Sequence, residues 1–329
     1  MVRLDNRRLR GLARRQQQVL TASQLTALDV PNSTLWRRCS PGGPWQNPYP
    51  RVVVLHNGPL SVAQRYWAAL LYAAGRDDPA SGRWPGALIT GTAALALHRL
   101  HAAPSPEDVR EIDVLVPAHR NVPSRGSVRV LRTRRLPHPP RWIDPRLPTA
   151  PPARAVADAV RRGAPEAEGA LYEVVQNGRV APEAMAAELR AERLTGRAWV
   201  RDAVADLRVG VRSPAEARAR RLIDGAEGLP TPVWNARLLL DGEWLADPDA
   251  YWPRHGVLFE VDSLRYHLGL AEHQRTMARR NRITRTGLMV LAATPAMVRD
   301  QPEEVLNDLR GLLTGGPYGP WQRVELGQP

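Results

Sequence analysis

Apolar and polar positions alternate differently along three stretches of the chain. In the first, Arg3 to Gln18 reads as a helix, Thr21 caps a short helical segment over Ala22–Leu28, and Asp29-Val30-Pro31 makes a turn. Asn32 is expected to cap a second short helix, Ser33 to Arg38, with Leu35 turned inward and Trp36, Arg37 and Arg38 partly outward. A proline and glycine turn, Pro41 to Pro44, leads through Trp45 to an apolar strand over Arg51–Leu55. Helix, turn, helix and ribbon together predict a winged helix-turn-helix over residues 1–58.

The second stretch, residues 59–204, mixes both periodicities. Ser61–Gly75 predicts an amphipathic helix, and Gly86–Leu100 is a second apolar segment. Glu111–Pro117 and Ser127–Thr133 read as strands, proline punctuates Leu136 to Pro152, and helices are expected at Ala153–Arg162, Glu166–Asn177 and Pro182–Arg193. No metal spacing, phosphate loop or nucleophile motif stands out here, so the region reads as a mixed α/β scaffold.

The third stretch, residues 205–315, is the most sharply patterned and leaves 316–329 as a tail. Ser213-Pro214-Ala215-Glu216 opens a helix. Val233–Leu240 predicts one strand, Asp241-Gly242 a hairpin turn, and Glu243–Leu245 the return. Val257–Val261 and Leu288–Ala293 are continuous apolar strands separated by a helix over Ala271–Arg285, and Glu303–Leu313 closes the unit. Two buried strands joined by a helix imply a right-handed parallel crossover. The fold class is therefore multi-domain α/β.

Charge adds a partner class. The chain of 329 residues carries a formal net charge of +13, which favours nucleic acid as an acidic partner. All 46 basic residues are arginine, beside abundant alanine and proline and a single phenylalanine, a bias typical of GC-rich coding. Clustering is thus more informative than the total. Residues 1–58 hold nine arginines, at positions 3, 7, 8, 10, 14, 15, 37, 38 and 51, against Asp5 and Asp29. That bias suits phosphates, and Arg37, Arg38 and Arg51 are the candidate DNA contacts. The lone Cys39 excludes an internal disulfide and a cysteine zinc site. No apolar run approaches the ~20 residues of a membrane span, and the first residues lack the apolar core of a secretion signal, so a cytoplasmic protein without a membrane partner is expected.

Carboxylates concentrate in one segment. Asp249 follows Pro248, and Glu260-Val261-Asp262 comes eleven positions later at the end of an apolar run. Strand ends bearing several acids suit Mg²⁺ or Mn²⁺, which activate water and neutralise phosphate charge. Each acid also has a plainer reading. Glu216 completes a capping box with Ser213, and Asp249 is a turn residue after proline. Glu260 is harder to explain so, because an unpaired carboxylate in an apolar strand is strongly unfavourable. Arg275, Arg279 and Arg282 recur at four and three and share a helix face, either as a phosphate-facing stripe or as a solvated surface.

The order α-β-β-β-α-β-α with Pro248-Asp249 and Glu260-Val261-Asp262 resembles the PD-(D/E)XK nuclease superfamily, and within it the DUF559 group related to very short patch repair endonucleases. Ser213–Glu216, Tyr266-His267, Arg275 to Arg279 and Gly287 carry the rest of the likeness, over about the last 110 residues. The resemblance implies a restriction-endonuclease-like core in which Asp249 and Glu260 bind the metal and Glu216 is an auxiliary acid. Asp262 stands where that family has lysine, and His267 is the alternative base. The first two stretches are similar to AbiEi-type antitoxins of type IV toxin–antitoxin systems. The carriers are Leu20 to Leu25, Arg51 to Leu55, Thr90 to His98 and Pro152 to Asp158. This likeness implies operator DNA binding and a cognate toxin as protein partner. Three functions are compatible with these features: a DNA-binding regulator with a nuclease-like domain, an Mg²⁺-dependent DNA endonuclease, and an interaction scaffold on an inactive nuclease fold.

Overall fold

The computed structural model describes residues 7–75, 86–137, 140–143, 146–208, 213–261, 278–315 and 323–327. They form two compact units, Met1–Arg201 and Asp202–Pro329. Both are mixed α/β.

The first unit opens with helix α1 (Arg7–Arg15), strand β1 (Val19–Thr21), helices α2 (Ala22–Ala27) and α3 (Asn32–Arg38), and strands β2 (Gln46–Tyr49) and β3 (Val52–Val54). The strands make an antiparallel sheet in the order β1-β3-β2. Leu9, Leu12, Leu20, Leu25, Leu35, Trp45 and Val53 fill the core between it and the helices. Thr21 caps α2 as expected: its hydroxyl accepts from Gln24 N at 3.1 Å and the Gln24 side chain accepts from Thr21 N at 2.9 Å. The expected cap on α3 is displaced by one residue. Pro31 occupies the cap position with φ −63° and gives no side-chain bond, while Asn32 accepts from the Thr26 hydroxyl at 3.2 Å. The proline ring presets the entry conformation, so Asn32 is drawn into the first turn.

Helix α4 (Val62–Ala74), held by a Ser61/Gln64 capping box, packs against both β1 and the larger sheet of this unit. That sheet comprises β4 (Leu88–Thr90), β5 (Ile112–Pro117), β6 (Val128–Thr133), β7 (Arg141–Ile143) and β8 (Leu147–Thr149), in the order β6-β5-β4-β8-β7. Pair β5/β6 is parallel, from Ile112↔Val128 to Pro117↔Thr133. The apolar segment Gly86–Leu100 divides into β4 and helix α5 (Gly91–Leu97), while α6 (Pro152–Arg162), α7 (Ala167–Gln176) and α8 (Pro182–Ala191) follow their sequence-based expectations closely, and α9 (Ala198–Arg208) runs across the boundary at Arg201.

In the second unit helix α10 (Pro214–Asp224) precedes β9 (Val233–Trp234), β10 (Leu238–Leu240), β11 (Glu243–Ala246), β12 (Ala250–Trp252), β13 (Val257–Val261), β14 (Met289–Ala293) and β15 (Val324–Leu326). The run Val233–Leu240 is not one strand. It breaks at Asn235, whose φ of +50° no strand accommodates, and its halves enter different sheets. One sheet is β9-β12-β13-β14; the hairpin β10/β11 joins β15 in the other. Strands β13 and β14 are parallel from Val257↔Met289 to Val261↔Ala293, as the apolar runs implied. Val257, Phe259 and Val261 face a core with Ala215, Ala219 and Leu309, while Leu258 faces one with Leu238, Leu245 and Ile283. A strand covered on both sides has no solvent face, which explains an apolar run interrupted by Glu260 alone.

Candidate functional site

Helix α3 is clamped on one face and open on the other. Thr34 and Leu35 are buried, whereas Asn32, Ser33 and Arg37 are exposed and Trp36 is 79% exposed. Arg38 is half-buried, with its guanidinium 4.9 Å from the centre of the Trp45 ring. It therefore braces α3 by a cation–π contact. Arg51 sits in the β2/β3 reversal with φ +66°, and its side chain is exposed. On α1, Arg7, Arg8, Arg10, Arg14 and Arg15 are exposed as well.

Of the acids singled out in the second unit, Asp249 stands just before β12 and Glu260 lies on β13. Their register pairs Ala250 with Phe259, and one residue further out Asp249 stands opposite Glu260. Asp249 Oδ2 accepts from Val261 N at 2.6 Å, closing the end of the pair. Glu260 is buried, and its Oε2 accepts from Arg279 Nη2 at 2.8 Å. Its Oε1 is buried with no hydrogen-bond partner among the described residues. Arg279 belongs to a helical stretch, residues 278–284, that leads into β14. Arg282 donates to Trp244 O at 2.9 Å, so both arginines are tied into the unit's own structure. Ser213 caps α10 by accepting from Glu216 N at 3.1 Å, and the helix packs on the β13 face that carries Phe259 and Val261. Asp262, His267 and Arg275 lie outside the described residues.

Whether this pair fits a divalent cation is a matter of donor number. Mg²⁺ and Mn²⁺ need several oxygens around one point. Among the described residues no three His, Cys, Asp or Glu side chains converge closely enough to hold a metal ion. Asp249 is engaged with a backbone amide and Glu260 with a guanidinium. The described acids therefore do not fit a metal by themselves.

Sequence reasoning missed the most developed polar cluster, which lies in the first unit. Arg154 and Asp158 on α6 are both buried, with Nε to Oδ2 at 2.9 Å, and Thr90 Oγ1 donates to the same oxygen at 2.7 Å. Arg154 Nη1 reaches Glu192 Oε1 at 2.7 Å, Arg135 joins Glu188 and Glu192 at 3.0 and 2.9 Å, and Arg161 closes on Glu192. Burial pushes the Asp158 carboxyl up despite Arg154. Burial acts the same way on Glu192, but the Arg161 hydrogen bond and the surrounding guanidinium charges outweigh it and hold that carboxyl low. An arginine and an aspartate four apart inside the apolar helix Ala153–Arg162 were the available signal.

Asp113 lies on buried β5 with Arg162 Nε 3.2 Å from Oδ1, and burial still raises its pKa from 3.8 to about 6. A folded-state value above the unfolded one means that the native protein holds the proton more tightly. This residue's contribution is most favourable below about pH 4 and is lost as pH rises to about 6, a difference on the order of 3 kcal/mol. Asp113→Asn should flatten that slope. Urea unfolding of variant and parent at pH 4.5 and pH 7 checks it: the stability difference between them should shift toward the variant at pH 7.

Neither the family models nor the curated proteins contain a match to this chain.

Proposed function

We propose that this chain is a duplex-DNA-binding regulator of the type IV antitoxin kind, carrying a second unit that resembles a nuclease fold. The observation that carries the reading is the open face of α3. Asn32, Ser33, Trp36 and Arg37 point to solvent while Thr34 and Leu35 lock the opposite face into the core. A large aromatic side chain left 79% exposed beside an exposed arginine puts an apolar contact and a cation on one open helix face. A helix of this kind beside a β-ribbon suits the major groove, with the α1 arginines and Arg51 of the ribbon supplying phosphate contacts.

The experiment is titration of a labelled duplex with the full chain by fluorescence anisotropy at several salt concentrations. Trp36→Ala with Arg37→Ala should weaken binding about tenfold or more and lower the salt slope by about one phosphate contact. Arg38→Ala tests less cleanly, because its loss also removes the brace on Trp45. Failure of the unaltered protein to bind duplex at ~50 mM salt would sink the reading.

An endonuclease reading keeps one observation in its favour, the buried and unpartnered Glu260 Oε1 opposite Asp249. Incubating supercoiled DNA with Mg²⁺ or Mn²⁺, with Glu260→Gln as the control, decides between a working site and an inactive fold.

A further inference from the structure

The ribbon of the small sheet does not end in open solvent. Tyr49, the last residue of β2, hydrogen-bonds through its hydroxyl to Ser127 Oγ at 2.8 Å, just before β6 of the larger sheet. Its ring lies close enough to Gly126 that an added Cβ there would sit 3.5 Å from Tyr49 Cε1. The reversal at Pro50-Arg51 is thereby held against the segment that links β5 to β6. Between them lies a concavity of about 270 Å³, lined by Arg51, His119, Arg120 and Asn121 together with Ala74, Gly75 and Val122.

Among the described residues its border is rich in hydrogen-bond donors and contains no carboxylate. Its geometry is held from behind. Arg120 donates to Ala74 O at the end of α4, and Asn121 Oδ1 accepts from Arg132 Nη2 at 3.1 Å. Arg51 is fixed at its backbone, where its carbonyl accepts from Ala22 N at 2.8 Å, but its side chain is exposed, as are His119 and Asn121. Guanidinium forks and an imidazole around a concavity suit an anion with several acceptor oxygens, and phosphate is the chemistry that matches.

We propose that this concavity seats a phosphate of the nucleic-acid backbone, extending the DNA contact from α3 past the ribbon onto the β5–β6 segment. The proposal rests on the DNA-binding reading of α3. It differs from that reading in making the larger sheet a part of the contact surface.

The test uses the full chain with Arg51→Asn and His119→Ala combined. Asparagine tolerates the left-handed backbone at position 51. Arg120 is left intact because it supports the end of α4. Melting temperatures of variant and parent establish that both are folded. Duplex binding is measured by anisotropy against salt, and inorganic phosphate is added separately in a thermal-shift assay. The expected result is a loss of duplex affinity of about tenfold and a shallower salt dependence by one to two phosphate contacts. Unchanged affinity and slope in this variant, with binding still lost in Trp36→Ala/Arg37→Ala, would overturn the phosphate seat and leave the α3 reading standing. No duplex binding by the parent overturns both. In that case, phosphate stabilising the parent and not the variant would mark the concavity as a small-anion site.

Discussion

Replacing Arg154 with methionine should lower the stability of the first unit by about 3–5 kcal/mol, the usual cost of leaving a buried charge without its partner. Arg154 is almost wholly buried and is the central cation for Asp158 on its own helix and for Glu192 just beyond α8. Methionine restores much of the volume but none of the charge. Asp158 would then keep only Thr90 and the more distant Arg161, whose Nη1 is 3.5 Å from Oδ1. For a unit of this size the loss corresponds to roughly 10 °C in melting temperature. Calorimetry should show one transition moving down. A loss below about 1 kcal/mol would mean that the cluster contributes little net stability. Arg154→Lys should be intermediate, since a point charge cannot serve both carboxylates as the fork does.

Gly91→Ala should cost about 2–4 kcal/mol, from two causes at one position. The residue has φ +56°, where any side chain is disfavoured by roughly 1–2 kcal/mol. An added Cβ would also lie 2.5 Å from Asp113 Oδ2 and 3.2 Å from its Cγ, on the rigid, buried strand β5. The carboxylate has little room to retreat, so overpacking adds a comparable amount. Chemical denaturation of Gly91→Ala, Asp113→Ala and the double variant separates the two causes. The double variant should be less destabilised than the two single losses combined, because Asp113→Ala removes the clash and leaves only the backbone term. Strict additivity would mean that the clash is relieved some other way.

How far the sequence could be read depended on whether a feature is local. Thr21 stands directly before the helix that it caps, and that cap was legible; so were the two apolar runs that became β13 and β14. Glu260 was legible as an anomaly, because a carboxylate within an apolar strand needs a partner. That partner was not legible, since Arg279 reaches it from a helix nineteen residues on. The break at Asn235 escaped notice because the residues around it are as apolar as a strand should be, and only a backbone angle divides them. The buried cluster around Arg154 joins α6 to residues near α8 and to Arg135, and proximity of that kind has no periodicity to betray it.

Helix α4 bears on how such a protein could be controlled. Ten of its thirteen residues are buried, and it packs against β1 on one side and β5 on another. Gln64 donates to Gln17 O at 3.0 Å beside the small sheet, and Arg65 donates to Glu107 O at 3.2 Å beside the large one. A helix shared this way leaves no hinge between the two sheets. Closely packed interfaces switch between discrete arrangements and do not bend gradually. On the DNA-binding reading proposed for α3, an effector that releases the chain would therefore have little scope to swing that helix aside. It would have to compete for the same surface, change how copies of the chain are spaced, or favour the unfolded block as a whole.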